Sequence, residues 1–223
     1  MKRIRMVVSD VDGTLLNTEF LWRDVWDIVG KNNDCPAFCT AHDLVVGISG
    51  SDLMKVLDEH LWMVNAEKRR EMLAEARMIG REYLREHLET MPYAKEMISY
   101  LKTQDVKLCV ATTTDRKMTE ERLKQIGLYD QFDAMICGNE VQKRKPDPEI
   151  YQKICDIAGI SPQETLVLED TGFGVQAAYN AGCTVIMIPS VNPPSEAERR
   201  MAAAVVKDMA DAEALIKNTF QLQ

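Results

Sequence analysis

The sequence predicts an α/β protein: a parallel sheet with helices on both faces, and a helical unit inserted after the first strand. Five short runs are almost continuously apolar: IRMVVS (4–9), KLCVAT (107–112), AMIC (134–137), TLVLE (165–169) and CTVIMI (183–188). Strands buried on both faces read this way, whereas strands with one wet face alternate. From Lys107 onward these runs are separated by helical patterns at 116–127, 147–159 and 173–182. Strand–helix–strand alternation builds βαβ units and hence a doubly covered, Rossmann-like parallel sheet. The third observation is a gap. From Thr18 to His87 apolar residues recur three and four apart among many charges, as in EKRREMLAEARMIGREYLREH, which is a helical pattern.

Taken in order, the first run ends at Ser9 and is followed at once by Asp10 and Asp12. The helical stretch that comes next reads as a small helical cap domain, residues 17–89, with Pro92 marking the return to the α/β core of 1–16 and 90–223. An insertion at the carboxyl end of a strand stands over the place where open parallel sheets bind ligands. In the second half Gly127, Gly159 and Gly182 fall just past the helical patterns, where C-terminal caps are expected.

Bulk properties exclude several classes. The 223 residues carry a net charge of −8, which argues against a nucleic-acid partner. A phosphorylated small molecule stays open, because local charge differs from net charge. No apolar run is long enough to span a bilayer, and the start MKRIRMVVSDVDG is interrupted by Asp10 too early for a signal peptide. A cytoplasmic protein without membrane contact, a monomer or weak homodimer, is expected. The six cysteines form no CxxC pair, and Cys109, Cys137 and Cys183 lie inside apolar runs, so reduced buried thiols are expected.

Ligands of such sheets gather at the carboxyl ends of the strands. The first end supplies Asp10 and Asp12, the second Thr112, Thr113 and Thr114. The loop after the third carries Lys143, Arg144 and Lys145 before Pro146, and the fourth end supplies Glu169 and Asp170. Alone, each has a bland reading: a turn cap, backbone-bonding threonines, a solvated basic loop, an acid at a helix start. At four ends of one sheet they converge. Like charges about 4 Å apart repel by roughly 4 kcal/mol at an effective dielectric of about 20, so four carboxylates and one lysine are incomplete without a cation. Mg2+ fits, since it accepts few carboxylates and keeps waters and phosphate oxygens. Thr hydroxyls and a Lys ammonium suit a phosphoryl group.

The segments DVDGTL (10–15), Thr112 in VATTT, Lys145 in KRKPDPEIY and LVLEDTGFGVQAAYNAG (166–182) resemble, in order, the four signature motifs of the haloacid dehalogenase superfamily of phosphohydrolases. Asn17-Thr18-Glu19 is similar to the DSE or DTE of the β-phosphoglucomutase-like branch, with Asn in place of Asp. By that resemblance Asp10 is the nucleophile that forms an aspartyl-phosphate, and Asp12 is the general acid and then the base. The resemblance also gives Mg2+ to the Asp10 carboxylate, the Asp12 main-chain carbonyl and Asp170, with Glu169 as ligand or supporting neighbour. It gives the phosphoryl oxygens to Thr112, Thr113 and Lys145; Lys145 is chosen among the three basic residues because it precedes Pro146.

Four other readings compete. Dehalogenases of the superfamily lack the second aspartate, which is present here as Asp12. The mutases carry Arg in a G-x-S-R cap motif, and this chain has Gly50 after Ser49 instead, which favours a phosphatase over a sugar phosphomutase. Gly172-Phe-Gly174-Val-Gln-Ala177 matches a dinucleotide fingerprint, but no acid ends the next strand to hold a ribose. A phospho-accepting receiver module would be shorter and have no cap. The expected function is therefore Mg2+-dependent hydrolysis of a small phosphorylated metabolite. Ser49, Gly50 and Arg23, with Trp22 and Trp26, are the candidates for substrate choice.

Overall fold

The computed structural model describes residues 2–48 and 51–223. Strands β1 (Lys2–Ile4) and β2 (Met6–Ser9) open the chain. Four helices follow: α1 (Thr18–Asn32), α2 (Pro36–Val45), α3 (Ser51–His60) and α4 (Ala66–His87). Then helix and strand alternate as α5 (Ala94–Lys102), β3 (Lys107–Ala111), α6 (Arg116–Gln125), β4 (Ala134–Ile136), α7 (Glu149–Ala158) and β5 (Thr165–Glu169). The chain continues through α8 (Gly172–Asn180), β6 (Thr184–Met187), α9 (Glu196–Met201), β7 (Ala204–Val205), α10 (Met209–Thr219) and β8 (Phe220–Leu222).

These elements form two compact units, one of residues up to Asn17 together with Glu89–Gln223, the other Thr18–Leu88. Asn17 and Glu89 belong to the first unit. The Asn17 amide donates to the Glu89 carbonyl at 3.1 Å, and the Glu89 amide donates to Asn17 Oδ1 at 2.9 Å.

The first unit is built on a six-stranded parallel sheet in the order β4-β3-β2-β5-β6-β7. From β2 the chain runs outward through β3 and β4, then returns to place β5 on the other side of β2. That reversal puts the end of β2 at a topological switch point, where a crevice opens between diverging connections. The alternation of side chains fills both faces. Met6, Val8, Cys109, Val167 and Val185 pack with Ile150, Ile154, Val175 and Ala178 of α7 and α8. Val7, Leu108, Val110, Leu166 and Leu168 point the other way and are equally buried. Each such residue contributes roughly 1.5–3 kcal/mol of burial, which is why the runs read as continuously apolar.

Two features differ from the sequence reading. The run 4–9 is broken at Arg5: the main chain of Arg5 bonds the Glu164 carbonyl and the Lys107 amide, while Lys2–Ile4 pairs in parallel with Phe220–Leu222 as a separate small sheet. Strand β7 is only two residues long, too short to leave an apolar pattern. The three glycines after helices, Gly127, Gly159 and Gly182, all take positive φ.

In the second unit α1 packs on α2 and α4. Trp26 stacks on Phe38 with ring centroids 4.5 Å apart. Trp22 lies across α4 at Gly80, where a Cβ would fall 2.3 Å from the indole Cζ3. Arg23 is engaged by both carboxylate oxygens of Asp43 at 2.9 and 2.8 Å. Ser49 and Gly50, named above for substrate choice, lie outside the described residues.

Two non-glycine residues among those described, Asp34 and Tyr93, take positive φ, and the strain is larger at the bulky Tyr93. Tyr93, the residue before α5, has φ 63° and ψ 9°, a left-handed conformation that costs a bulky residue on the order of 1 kcal/mol. Its ring is 52% exposed, so little packing offsets that cost. Tyr93→Gly is expected to raise stability by about 0.5–1 kcal/mol, read as a Tm increase of roughly 2 °C. A lower Tm would show that the ring contributes contacts worth more than the strain.

Candidate active site

The site is assembled at the carboxyl ends of β2, β3 and β5, within the first unit. Asp10 follows the last residue of β2, and its amide donates to the Leu168 carbonyl of β5 at 3.0 Å, extending the ladder by one step. Its carboxylate is buried and accepts a hydrogen bond from Lys145 Nζ at 2.5 Å. The same ammonium donates to Glu169 Oε1 at 2.6 Å and to the Ala111 carbonyl at 3.2 Å. Of the three consecutive basic residues Lys145 is the buried one, whereas Lys143 meets Asp147 at the surface.

Glu169 is saturated. Lys145 and the Tyr151 hydroxyl donate to Oε1, the latter at 2.7 Å. The Asp170 and Thr171 amides and the Thr171 hydroxyl donate to Oε2 at 3.0, 3.2 and 3.3 Å. A carboxylate offers about four acceptor sites, so these donors leave little for a metal. Glu169 therefore acts as a strut that fixes Lys145 and the start of α8. Gly174 lets it sit there, since a Cβ at that position would fall 1.9 Å from the Glu169 carboxyl.

Asp12 stands apart from Lys145. Its Oδ2 accepts from Thr114 Oγ1 at 2.7 Å and Thr112 Oγ1 at 3.2 Å, and its Oδ1 accepts from Arg122 of α6 at 2.7 Å. Thr113 completes that turn, its carbonyl packed against Gly138, where a Cβ would lie 1.9 Å away. Asp170 is buried and accepts from Thr14 Oγ1 at 2.9 Å and Ser190 Oγ at 2.5 Å. Gly13, with φ +84°, allows this approach: a Cβ there would fall 2.2 Å from Asp170 Oδ2. The main chain after Asp12 is thus pressed against the Asp170 carboxylate.

Electrostatics mark Asp10 as the under-compensated group. Burial, with Glu169 and Asp12 nearby, pushes its carboxyl up to about 8 against the pull of Lys145. Burial alone would lower Lys145, but Asp10 and Glu169 outweigh it and hold the ammonium above its ordinary range. Tyr151, buried beside Glu169, is pushed well above the usual phenol value and stays a donor. A divalent cation held by Asp10 and Asp170 would answer this excess of negative charge. Among the described residues no three His, Cys, Asp or Glu side chains converge as ligands. Mg2+ needs no such cluster, because one or two carboxylates with waters and phosphate oxygens suffice. Asp10, Asp170 and the carbonyl of Asp12 suit that ion.

The structure brings together Asp10, Asp12, Thr112, Lys145, Glu169 and Asp170. Arg23, in the other unit, is occupied by Asp43. The sequence reading missed Thr14 and Tyr151, set Ser190 aside at the end of the fifth run as saying little, and gave no role to Thr114 or Arg122. Thr14 sits inside DVDGTL and Tyr151 inside KRKPDPEIY, so their motifs carried a signal. Ser190 had only its place just past the fifth run, and Arg122 had no signal, since its role depends on where a helix packs.

A buried lysine against one aspartate at the switch point of the sheet, with a second aspartate two residues on, is an arrangement suited to phosphoryl chemistry. The chain belongs to the haloacid dehalogenase-like hydrolase family, whose pattern it matches over residues 7–188. Several of its relatives are named as phosphatases. It is 29% identical to a phosphorylated carbohydrates phosphatase of Thermotoga maritima, over 90% of this chain and 93% of the relative. It is 31% identical to a phosphoglycolate phosphatase of Thiobacillus denitrificans, over 83% of each. A solved haloacid dehalogenase-family hydrolase from Deinococcus radiodurans, holding phosphate and sodium, has the same fold. The TM-score is 0.81 at 21% identity, covering 97% of both chains.

Proposed function

We propose that this enzyme is a Mg2+-dependent phosphatase that hydrolyses a small phosphomonoester, a sugar phosphate or a similar metabolite, through an aspartyl-phosphate on Asp10. The observation that carries this reading is the 2.5 Å contact of buried Asp10 with Lys145 at the switch point, with Asp12 two residues away on separate donors. The names of the relatives, which include a phosphorylated carbohydrates phosphatase and a phosphoglycolate phosphatase, support the substrate class.

In the first step an Asp10 oxygen bonds to phosphorus, the ester P–O bond breaks, and Asp12 gives its proton to the leaving oxygen. In the second, Asp12 takes a proton from water, the water oxygen bonds to phosphorus, and Asp10 leaves with release of inorganic phosphate. Lys145 offsets negative charge on the phosphoryl oxygens, and Thr112 and Thr113 bind them. When bound, Mg2+ supplies positive charge that lets an anionic carboxylate approach an anionic phosphoryl group. Asp10, Asp170 and the Asp12 carbonyl would hold it, with Thr14 and Ser190 fixing Asp170 from behind. The six free cysteines suit a reducing, cytoplasmic setting.

A panel of phosphorylated metabolites, assayed for inorganic phosphate with Mg2+ and with chelator, tests the reading. Chelator-sensitive turnover of a phosphomonoester is expected. Stoichiometric phosphorylation without turnover, or migration of the phosphate on a sugar without release, would overturn it. Asp170→Asn is expected to raise the Mg2+ needed for half-maximal rate by about tenfold or more. An unchanged metal titration would remove Asp170 from the ligands.

A further inference from the structure

Arg122 touches Asp12 from outside the four motifs, and the proposed chemistry does not use it. It lies on the inward face of α6, between Thr119 and Leu123, which are both buried. Its side chain is 13% exposed and that of Asp12 15%, so the 2.7 Å ion pair is largely shielded from water. The contact divides the Asp12 carboxylate in two. Thr112 and Thr114 hold Oδ2, and Arg122 holds Oδ1. A carboxylate that must hand a proton to one oxygen and take one from another needs a fixed rotamer, and misplacement by a fraction of an ångström is costly. The helix that carries Arg122 is itself anchored. Asp115 caps it, accepting from the Lys117 amide at 2.9 Å, and the Thr119 hydroxyl bonds the Asp115 carbonyl at 2.9 Å.

We propose that Arg122 is a positioning residue that aims the Asp12 carboxyl at the leaving oxygen, so that its value to catalysis scales with the need of the leaving group for a proton. This rests on the assignment of Asp12 as general acid above. A purely structural ion pair, or an arginine that grips the phosphoryl group, would affect all phosphomonoesters alike.

The test compares kcat/KM for an alkyl phosphate, whose alkoxide must be protonated, with p-nitrophenyl phosphate, whose phenolate leaves without a proton. kcat/KM is the right quantity because it reports only events up to the first irreversible step, before Asp12 serves as base. Arg122→Gln is expected to lower kcat/KM on the alkyl phosphate by about tenfold more than on p-nitrophenyl phosphate. Asp12→Asn should show the same pattern more strongly, and Arg122→Lys, which keeps the charge and a donor, should recover part of the alkyl rate. If Arg122→Gln does not fold, the same ratio measured on Arg122→Lys decides. Equal losses on both substrates, or none, while Asp12→Asn still discriminates, would overturn the role of Arg122 alone. An Asp12→Asn variant that does not discriminate would instead remove the general-acid reading on which it rests.

Discussion

Asp10→Asn is expected to reduce turnover on the order of 10⁴-fold or more while making the metal-free protein more stable. The first effect follows from losing the nucleophile, since an amide cannot carry the phosphoryl group. The second follows from the charge. Asp10 is buried, and its carboxyl is raised from 3.8 to about 8. Between those values the folded state binds a proton that the unfolded chain has released, so this group makes stability fall as pH rises through that window. Asparagine removes the liability and leaves Lys145 bonded to Glu169 and the Ala111 carbonyl. The gap in Tm between variant and wild type, both in chelator, should be small near pH 5, widen as pH rises to about 8 by about 2–4 °C for each kcal/mol recovered, and level off beyond it. A gap that does not grow with pH would mean that Asp10 is already well compensated without a metal. Retained turnover in the variant would refute the nucleophile.

The same charge logic marks how far the sequence could be read. The core strands were legible because burial on both faces leaves continuous apolar runs, and the order of helices and strands implied a parallel sheet. The break at Arg5 was not, because the residues on either side of it stay apolar while the pairing partner, Phe220–Leu222, lies at the far end of the chain. In the site, Asp10, Asp12, Thr112 and Asp170 stood out as polar residues ending apolar runs, and Lys145 by its place before Pro146. Glu169 stood out in the same way, yet only its five donors show that it is a strut. Those donors include Tyr151, which the sequence presents as one more apolar residue of an amphipathic helix. Arg122 was invisible for a related reason. In RKMTEERLKQ it is one of several charges on a polar helix, and only the packing of α6 turns it toward Asp12.

Lys145→Met is expected to cost about 3–5 kcal/mol of stability at neutral pH, the penalty for leaving buried carboxylates without their cation. Methionine keeps the length and apolar stem of lysine, so the loss reports charge rather than a cavity. It should fall mainly on Asp10, because Glu169 keeps Tyr151, the Asp170 amide and Thr171. With the ammonium gone, the Asp10 carboxyl is pushed further up, so the folded state takes up a proton that the unfolded chain does not. Stability should then be lost as pH rises, and urea unfolding should show a smaller deficit near pH 5 than near pH 8. The decisive comparison is the double variant. If the deficit comes from an orphaned charge, Asp10→Asn in the Lys145→Met background restores stability even though it removes a second member of the site, and the two substitutions are strongly non-additive. Additive losses would place the cost in packing, and Lys145 would then be a core side chain that carries a charge rather than the counter-ion of the nucleophile.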